Sequence, residues 1–152
     1  MKLNRKNSLD DRTAKSMRVW IQMIKAFNAI RASELRLITR HGLTMNQFSV
    51  LEALYHRGDL TIGEITALID STPGNVTVVI KNLQKNGMVS VAPDTRDQRA
   101  RVVSIASSGR ELIGSMFADH AQNLCDCFLP LNDQELQTLF ESLRKLRKRR
   151  KR

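Results

Sequence analysis

Apolar side chains recur every three or four residues along most of the chain, which is the period of an amphipathic α-helix. The longest case spans residues 13–40, where Trp20 and Phe27 fall on the apolar face. The same period predicts further helices over residues 45–56, 62–69, 73–86, 109–128 and 133–149. Residues 88–92 and 101–106 are instead short, rich in β-branched side chains and roughly alternating, so they are predicted as two β-strands.

Helix-start signals indicate where most of these helices begin. A capping residue followed three positions later by Gln or Glu occurs at Thr44, Thr61, Ser108 and Asn132. In this pattern each side chain bonds a free backbone N–H at the start of the helix. Thr72 stands before Pro73, which suits the first helical position because its missing N–H has no partner there. The first helix has no clear cap.

The order of the elements predicts a mainly α fold with a small β-hairpin wing. Residues 61–86 form a helix-turn-helix, with a short helix, a turn at residues 70–72 and a longer helix. The hairpin follows at once and has a long, charged tip. Three short helices followed by a two-stranded ribbon are typical of a winged helix-turn-helix lobe. The first helix and the last two helices flank that lobe.

The second helix of the helix-turn-helix is the element that a DNA major groove accepts. Its apolar residues predict that the opposite face points outward. The candidate DNA contacts, together with the capping residue, are Thr72, Gly74, Asn75, Thr77, Val78 and Lys81. Asparagine can make the paired hydrogen bonds that read adenine, glycine allows close approach, and lysine suits a phosphate. The alternative is an ordinary solvated helix face.

The tip of the hairpin holds several charged residues within a short span. Arg96, Arg99 and Arg101 are candidate DNA contacts, because arginine at a hairpin tip can enter a narrow minor groove, where the negative potential is deepest. Asp97 is predicted to stabilise the wing through a charge-assisted hydrogen bond near Arg99. The competing interpretation is a solvent-exposed hairpin whose charges neutralise one another.

The charge of the chain is concentrated at its two ends. The 152 residues carry a formal charge of +10. Residues 1–40 contribute +7 and residues 144–152 contribute +8, whereas the segment between them carries −5. Two basic ends indicate a polyanionic partner, because Lys and Arg neutralise phosphates and release counterions. A solubilising tail without a partner is the alternative for the last five residues.

Other classes of protein find little support in the sequence. No apolar run suits a membrane helix or a secretory signal, so a cytoplasmic protein without membrane contact is expected. The chain has two cysteines, Cys125 and Cys127, which are too few for a disulfide framework. Buried inert thiols are favoured over a redox switch. His41, His56 and His120 are scattered, so no metal site is expected. No catalytic motif or cofactor loop appears, which argues against an enzyme.

Several short motifs carry a resemblance to a known family. They are Leu43-Thr44-Met45-Asn46-Gln47-Phe48-Ser49-Val50-Leu51, Thr72-Pro73-Gly74-Asn75-Val76-Thr77 and Leu83-Gln84-Lys85-Asn86-Gly87-Met88-Val89. The most specific is Asp97-Gln98-Arg99 in the hairpin, followed by Val103-Ser104-Ile105 and Gly109. With these motifs, residues 43–109 resemble the MarR family of bacterial transcriptional regulators.

The resemblance implies a homodimer that binds a pseudo-palindromic operator in double-stranded DNA as a transcriptional regulator, with repression favoured. Residues 1–42 would form a basic arm and dimerisation helix, 43–107 the DNA-binding lobe, 108–149 the C-terminal dimerisation helices, and 144–152 a basic tail. Apolar residues that exceed what one lobe can cover agree with this: Leu112, Ile113, Met116, Phe117, Leu124, Leu136, Leu139, Phe140 and Leu143. An internal core is the alternative.

The resemblance also implies a small aromatic or anionic effector that lowers DNA affinity, because family members often bind one between the dimer helices and the lobe. The sequence does not identify the effector. Trp20, Met23 and Phe27 are candidates for lining a crevice, although plain core is the favoured interpretation.

The chain departs from the family pattern at three positions. Val78 and Val91 stand where many relatives have arginine, and Ala106 replaces a threonine. A basic arm and the tail are hypothesised to compensate for the missing charge; the arm comprises Lys2, Arg5, Lys6, Arg12 and Lys15. The alternative function is a winged-helix interaction or architectural protein that binds nucleic acid mainly through its basic termini, or binds a protein partner.

Overall fold

The structure of the chain is a computed structural model that describes residues 10–148, except Arg96 and Gln98. Helices and strands follow one another as α1 (Asp11–Arg40), α2 (Met45–Arg57), β1 (Leu60–Thr61), α3 (Ile62–Leu68), α4 (Pro73–Lys85), β2 (Val89–Pro93), β3 (Arg101–Ile105), α5 (Ser107–Phe128) and α6 (Asp133–Lys148). Elements α2 to β3 form the winged lobe, and α1, α5 and α6 are the terminal helices. Within the part of the chain that the structure describes, no helix combines the length and apolar character needed to cross a bilayer.

Most of the predicted helix starts are confirmed. At Thr44 and Thr61 the threonine hydroxyl and the side chain three residues later each bond the other's backbone N–H. Asn132 and Glu135 form the same reciprocal pair at the start of α6. Thr72 is the N-cap of α4. Local capping signals therefore fix these boundaries.

Two helix starts differ from the prediction. α1 does have a cap, because Asp10 accepts hydrogen bonds from the hydroxyl and the backbone N–H of Thr13, which hold the pKa of this carboxyl below its usual range. The predicted cap at Ser108 is wrong, since α5 begins at Ser107. The Ser108 hydroxyl instead donates to the carbonyl oxygen of Gly87 at 2.7 Å. That bond ties the start of α5 to the segment after α4.

The sheet has three antiparallel strands in the order β1–β3–β2. The predicted hairpin is confirmed, with Val89 opposite Ile105 at one end and Pro93 opposite Arg101 at the other. β1 pairs with the other edge of β3 and was not predicted. Two residues are too few to show a strand period, so the pairing depends on the tertiary fold.

The hydrophobic core lies mainly in the winged lobe. The predicted apolar stripe of α4 is confirmed, since its four members are buried: Val76, Val79, Ile80 and Leu83. Gly109 joins α5 to the wing, because a Cβ built there would lie 2.4 Å from the carbonyl oxygen of Met88. Only a glycine lets the two backbones approach this closely.

The terminal helices leave most of their apolar side chains uncovered. Trp20, Phe27 and Phe140 are 61%, 59% and 60% exposed. The interpretation of Trp20 and Phe27 as plain core is therefore wrong for the single chain. Among the described residues of the winged lobe, the exposed large apolar side chains are Leu68 and Val78. α6 touches the other described helices and strands only at isolated positions.

Part of the apolar face predicted for the terminal helices belongs to the core instead. Ile113 and Met116 are buried, and Leu112 packs partly against the same cluster. The first half of α5 therefore completes the core of the winged lobe, and its exposed apolar face begins at Phe117. The buried core thus continues past residue 107, where the sequence placed the end of the lobe.

Candidate nucleic-acid interface

α4 is the second helix of the helix-turn-helix and is called the recognition helix below. It presents a strip of exposed residues opposite its buried stripe. Asn75 and Lys81 are exposed, and Val78 is 57% exposed. At Gly74 an added Cβ would meet no atom within 4 Å. Residues three and four apart share a helix face, so Gly74 and Val78 lie together, with Lys81 on one side and Asn75 on the other. The strip is open for contact along the first turns of the helix.

Two predicted DNA contacts on α4 already have partners within the chain. The amide Nδ2 of Asn75 donates to the hydroxyl of Ser71 at 2.9 Å, which leaves Oδ1 as a free acceptor. The hydroxyl of Thr77 donates to the carbonyl oxygen of Pro73 at 2.8 Å, and the residue is half-buried. The amide nitrogen carries two N–H hydrogens, so Asn75 keeps one donor beside its free Oδ1 acceptor for reading adenine.

The wing carries its arginines beside a local turn. The carboxylate Oδ1 of Asp97 accepts a hydrogen bond from the backbone N–H of Arg99 at 2.9 Å. The carbonyl oxygen of Asp97 accepts a second bond from Ala100. The Arg99 side chain is exposed, whereas Arg96 lies outside the described residues. Asp97 thus holds the backbone at the position from which the Arg99 side chain extends.

Arg101 stands apart from the tip and faces the recognition helix. It lines a surface depression of about 340 Å³ together with Thr77, Lys81 and Gln84 of α4. Val91 of β2 lines the same depression. The structure therefore brings two cations, Lys81 and Arg101, to one side of the junction between α4 and the wing.

The structure describes only part of the two basic ends of the chain. Lys2, Arg5, Lys6 and residues 149–152 lie outside the described residues. Arg12 and Lys15 lie on the first turns of α1, and Lys15 forms an exposed ion pair with Asp11 at 2.6 Å. An exposed pair of this kind contributes little stability and does not prevent Lys15 from meeting a phosphate.

A polar cluster that the sequence analysis missed joins the terminal helices to the winged lobe. Nδ1 of His120 lies 2.8 Å from Oε2 of Glu34, without hydrogen-bond alignment, and Nε2 lies 3.5 Å from Oε1 of Glu52. Asn123 donates from its amide to Glu34 and accepts from Ser33 at 2.6 Å. Glu34 is 8% exposed. The sequence signal was its place one turn before the buried Ile38 on α1.

The exposed apolar face of α1 contains a trough of about 540 Å³. Its lining comprises Arg12, Lys15, Ser16, Val19, Trp20, Met23 and Leu146. Of the predicted crevice residues it therefore includes Trp20 and Met23, whereas Phe27 lies elsewhere on the helix. The trough combines apolar walls with two cationic side chains, which is chemistry that suits an aromatic acid.

The cysteines and histidines show no metal-binding arrangement. Both cysteines are free, and Cys125 is exposed, so the expectation of a buried thiol is wrong there; Cys127 is half-buried. Across residues 10–148 without positions 96 and 98, no group of three or more His, Cys, Asp or Glu side chains is placed to hold a metal ion.

Together, the open face of α4 and the arginine on the β wing form a winged helix-turn-helix lobe, which is a class of DNA-binding fold. The sequence model of the MarR family matches residues 43–100. This segment is therefore similar to the MarR family, as its motifs indicated.

Known proteins match along most of the chain. The HTH-type transcriptional regulator MhqR of Bacillus subtilis (strain 168) is 28% identical over 134 residues, which are 88% of this chain and 92% of the relative. A structure of Bordetella bronchiseptica BpsR, whose DNA binding is regulated by 6-hydroxynicotinic acid, has a TM-score of 0.77 at 26% identity and covers 85% of this chain and 98% of that chain. Streptomyces coelicolor Sco3205, solved in complex with DNA, has a TM-score of 0.81 at 21% identity over 88% of this chain and 89% of its own, which supports the fold.

Proposed function

We propose that two copies of the chain associate through their terminal helices and bind an inverted repeat in double-stranded DNA as a transcriptional repressor. The observation that carries this proposal is the contrast between a lobe that buries its own core and terminal helices that expose large apolar side chains. Soluble monomers rarely expose contiguous apolar patches of this kind. A two-fold axis would cover identical faces with one another and place two recognition helices on one side.

The recognition helix supplies the major-groove contacts in this proposal. Its N-terminal turn begins at Thr72, whose capping hydroxyl accepts from the backbone N–H of Asn75. Gly74, Asn75 and Val78 face base edges, and Thr77 presents its methyl group because its hydroxyl donates within the helix. Lys81 meets a phosphate of the backbone.

The wing supplies the minor-groove and backbone contacts. Arg99 extends from the turn held by Asp97, and Arg96 directly precedes Asp97 in the sequence. Arg101 lies beside Lys81 and meets the phosphates between the two grooves. Arginine in a narrow minor groove responds to its width and potential, which adds discrimination without base-specific bonds.

The experiment compares Arg99→Ala with wild type on an inverted-repeat duplex selected from a random library and on random DNA. We expect affinity for the selected duplex to fall about tenfold or more, with loss of discrimination. Arg40→Ala removes the same charge from the end of α1 and should change affinity much less. If Arg99→Ala leaves both affinities unchanged, the alternative of a binder driven by its basic ends is favoured instead.

The same assay tests the basic ends. Deleting residues 149–152 should flatten the dependence of log K on log salt by roughly 0.9 for each phosphate contact that the tail makes. If the wing provides specificity and the tail only attraction, the deletion lowers affinity for selected and random DNA by the same factor. A loss of discrimination on tail deletion alone would contradict this division of roles.

We also propose that a small aromatic acid regulates the chain, as 6-hydroxynicotinic acid does for BpsR. Trp20 is the single tryptophan of the sequence and lines the apolar trough, so in the dimer its fluorescence reports an acid bound between the two chains. A set of aromatic carboxylates should include one that changes this fluorescence and weakens DNA binding at the same concentration. An acid that weakens DNA binding without a change at Trp20 would place the effector site elsewhere.

A further inference from the structure

Val78 is an apolar residue that the folded chain leaves uncovered. The other apolar side chains of α4 are buried in the lobe, whereas Val78 is 57% exposed. Valine is also a weaker helix former than Lys, Arg, Gln or Glu, because its branched Cβ loses rotamer freedom against the preceding turn. Neither packing nor helix propensity therefore accounts for valine at this position.

Gly74 lies one turn before Val78 and is equally unexplained by the chain itself. An added Cβ would meet nothing within 4 Å, and its backbone does not occupy the left-handed region. Glycine loses more backbone freedom on folding than alanine does, so alanine at this first-turn position would suit the fold at least as well. The missing side chain matters only if a surface outside the chain comes close to the helix backbone there.

The residues around this pair indicate what that surface is. Lys81 and Lys85 lie on one side of Val78, and Asn75 and Asn82 lie on the other, while α4 contains no acidic residue. The partner is therefore anionic on the side of the lysines, polar on the side of Asn75, and apolar at one central point. The floor of a DNA major groove offers such a point, because thymine carries a C5-methyl group there.

We infer that Val78 contacts the C5-methyl group of a thymine in each half-site of the operator, and that Gly74 lets the helix backbone approach closely enough for this contact. The inference rests on the proposed function and adds a rule of base discrimination to it. The side chain of Val78 is held in essentially one rotamer in a helix, so the contact is pre-formed.

The experiment removes only the methyl group from the DNA. In the selected inverted-repeat duplex, each thymine is replaced by deoxyuridine in both half-sites, one position at a time, and affinity is measured by fluorescence anisotropy at fixed salt. One position should weaken wild-type binding about fourfold per half-site, which is the effect of one buried methyl group. If no thymine position shows this effect in a duplex that binds specifically, the inference is overturned, whereas the proposed function still stands.

A protein variant combined with the deoxyuridine replacement gives a double-mutant cycle, which tests whether Val78 makes the methyl contact. Val78→Ala should weaken binding to the thymine duplex and make it insensitive to the deoxyuridine replacement, because both changes remove the same contact. Lys85→Ala is the matched control, since it should weaken binding to both duplexes by the same factor. Undiminished sensitivity to deoxyuridine in Val78→Ala would overturn the assignment. Failure of the wild-type protein to prefer any duplex would overturn the proposed function itself.

Gly74→Ala tests the close approach separately. The folded chain has room for the methyl group, so the midpoint of urea unfolding should stay the same or rise. DNA affinity should nevertheless fall several-fold on every sequence. An unchanged affinity in a stably folded Gly74→Ala protein would show that the helix does not lie as deep in the groove as the inference requires.

Discussion

The winged lobe buries most of its large apolar side chains within one chain, whereas the terminal helices leave most of theirs exposed. In the lobe, Leu51, Leu54 and Val103 are completely buried within a single chain. On the terminal helices, Trp20 and Phe140 remain about 60% exposed in the same chain. A side chain of this size stabilises the protein only when it leaves water. The lobe is therefore complete in one chain, whereas the terminal helices require another surface.

Because of this difference in burial, separate sets of residues determine the folding stability of one chain and the association of two chains. Residues of the lobe core determine whether the DNA-reading surface is formed, and exposed residues of α1 and α6 determine whether two such surfaces are held together. The cluster around His120 and Glu34 lies where the two regions meet. Changes in the core, at that meeting point and at the periphery of the lobe should therefore have distinct consequences.

The largest effect is expected from a cavity in the lobe core. Leu51→Ala should lower the free energy of unfolding by about 3 kcal/mol, because Leu51 is 0% exposed. Leu68→Ala is the matched control in the same lobe, and at 40% exposure it should cost less than about 1 kcal/mol. Urea unfolding measures both values. Similar costs for the two variants would contradict the assignment of the core.

The polar cluster gives the next largest effect and tests how the regions are joined. His120→Leu or Glu34→Leu alone should destabilise the chain on the order of 2 kcal/mol, since each removes one partner of a buried polar group. Glu34 keeps its bond from Asn123, and His120 keeps its neighbour Glu52. The double replacement should cost clearly less than the sum of the two. Gln122→Ala, an exposed neighbour on α5, serves as a control. Strict additivity would show that the two groups do not interact.

Two glycines of α5 should respond to alanine with opposite signs. Gly109→Ala should cost roughly 2 kcal/mol, because its Cβ would collide with the backbone oxygen of Met88. Gly114→Ala should raise stability by about 0.5–1 kcal/mol, since the nearest atom, the Tyr55 hydroxyl, lies at an ordinary 3.7 Å. Thermal unfolding of the two variants tests whether α5 is clamped to the wing only at its start.

The smallest effect concerns the cap of α3. The backbone N–H of Thr61, and then its hydroxyl, hold the pKa of the Glu64 carboxyl below its ordinary value of 4.5. The stability that this carboxylate adds is present above pH 4.5 and is lost as the pH falls through the lowered pKa. Glu64→Gln removes this titration, so its melting temperature should fall less on acidification than that of wild type. Parallel pH profiles would contradict the role of the cap.

Most parts of the fold that local chemistry determines were predicted correctly, although the Asp10 cap of α1 was missed. The capping pairs at Thr44 and Thr61 act within one helical turn, and the buried stripe of α4 follows from a single helical period. The motif at Asp97 lies within residues 43–100, which match the MarR family model, and it was recognisable because the turn there constrains the residue type.

The parts that depend on distant segments were missed or misassigned. β1 exists only through its pairing with β3, and Ser108 turns to Gly87 because the wing lies beside the start of α5. The cluster around His120 requires three helices to meet. Ile113 looked like an exposed interface residue because a helical period shows which side is apolar and not what covers it.

The central claim is that two chains act together on one duplex, and sedimentation of the protein with a selected inverted-repeat DNA tests it most directly. The free protein should sediment as a dimer of the 17.3 kDa chain, and one dimer should bind each duplex. Replacing Trp20 and Phe140 by Asp should abolish the dimer and the tight complex while the lobe stays folded. A stable single chain that ignores the duplex at moderate ionic strength, or that binds it as tightly as the dimer, would contradict the claim.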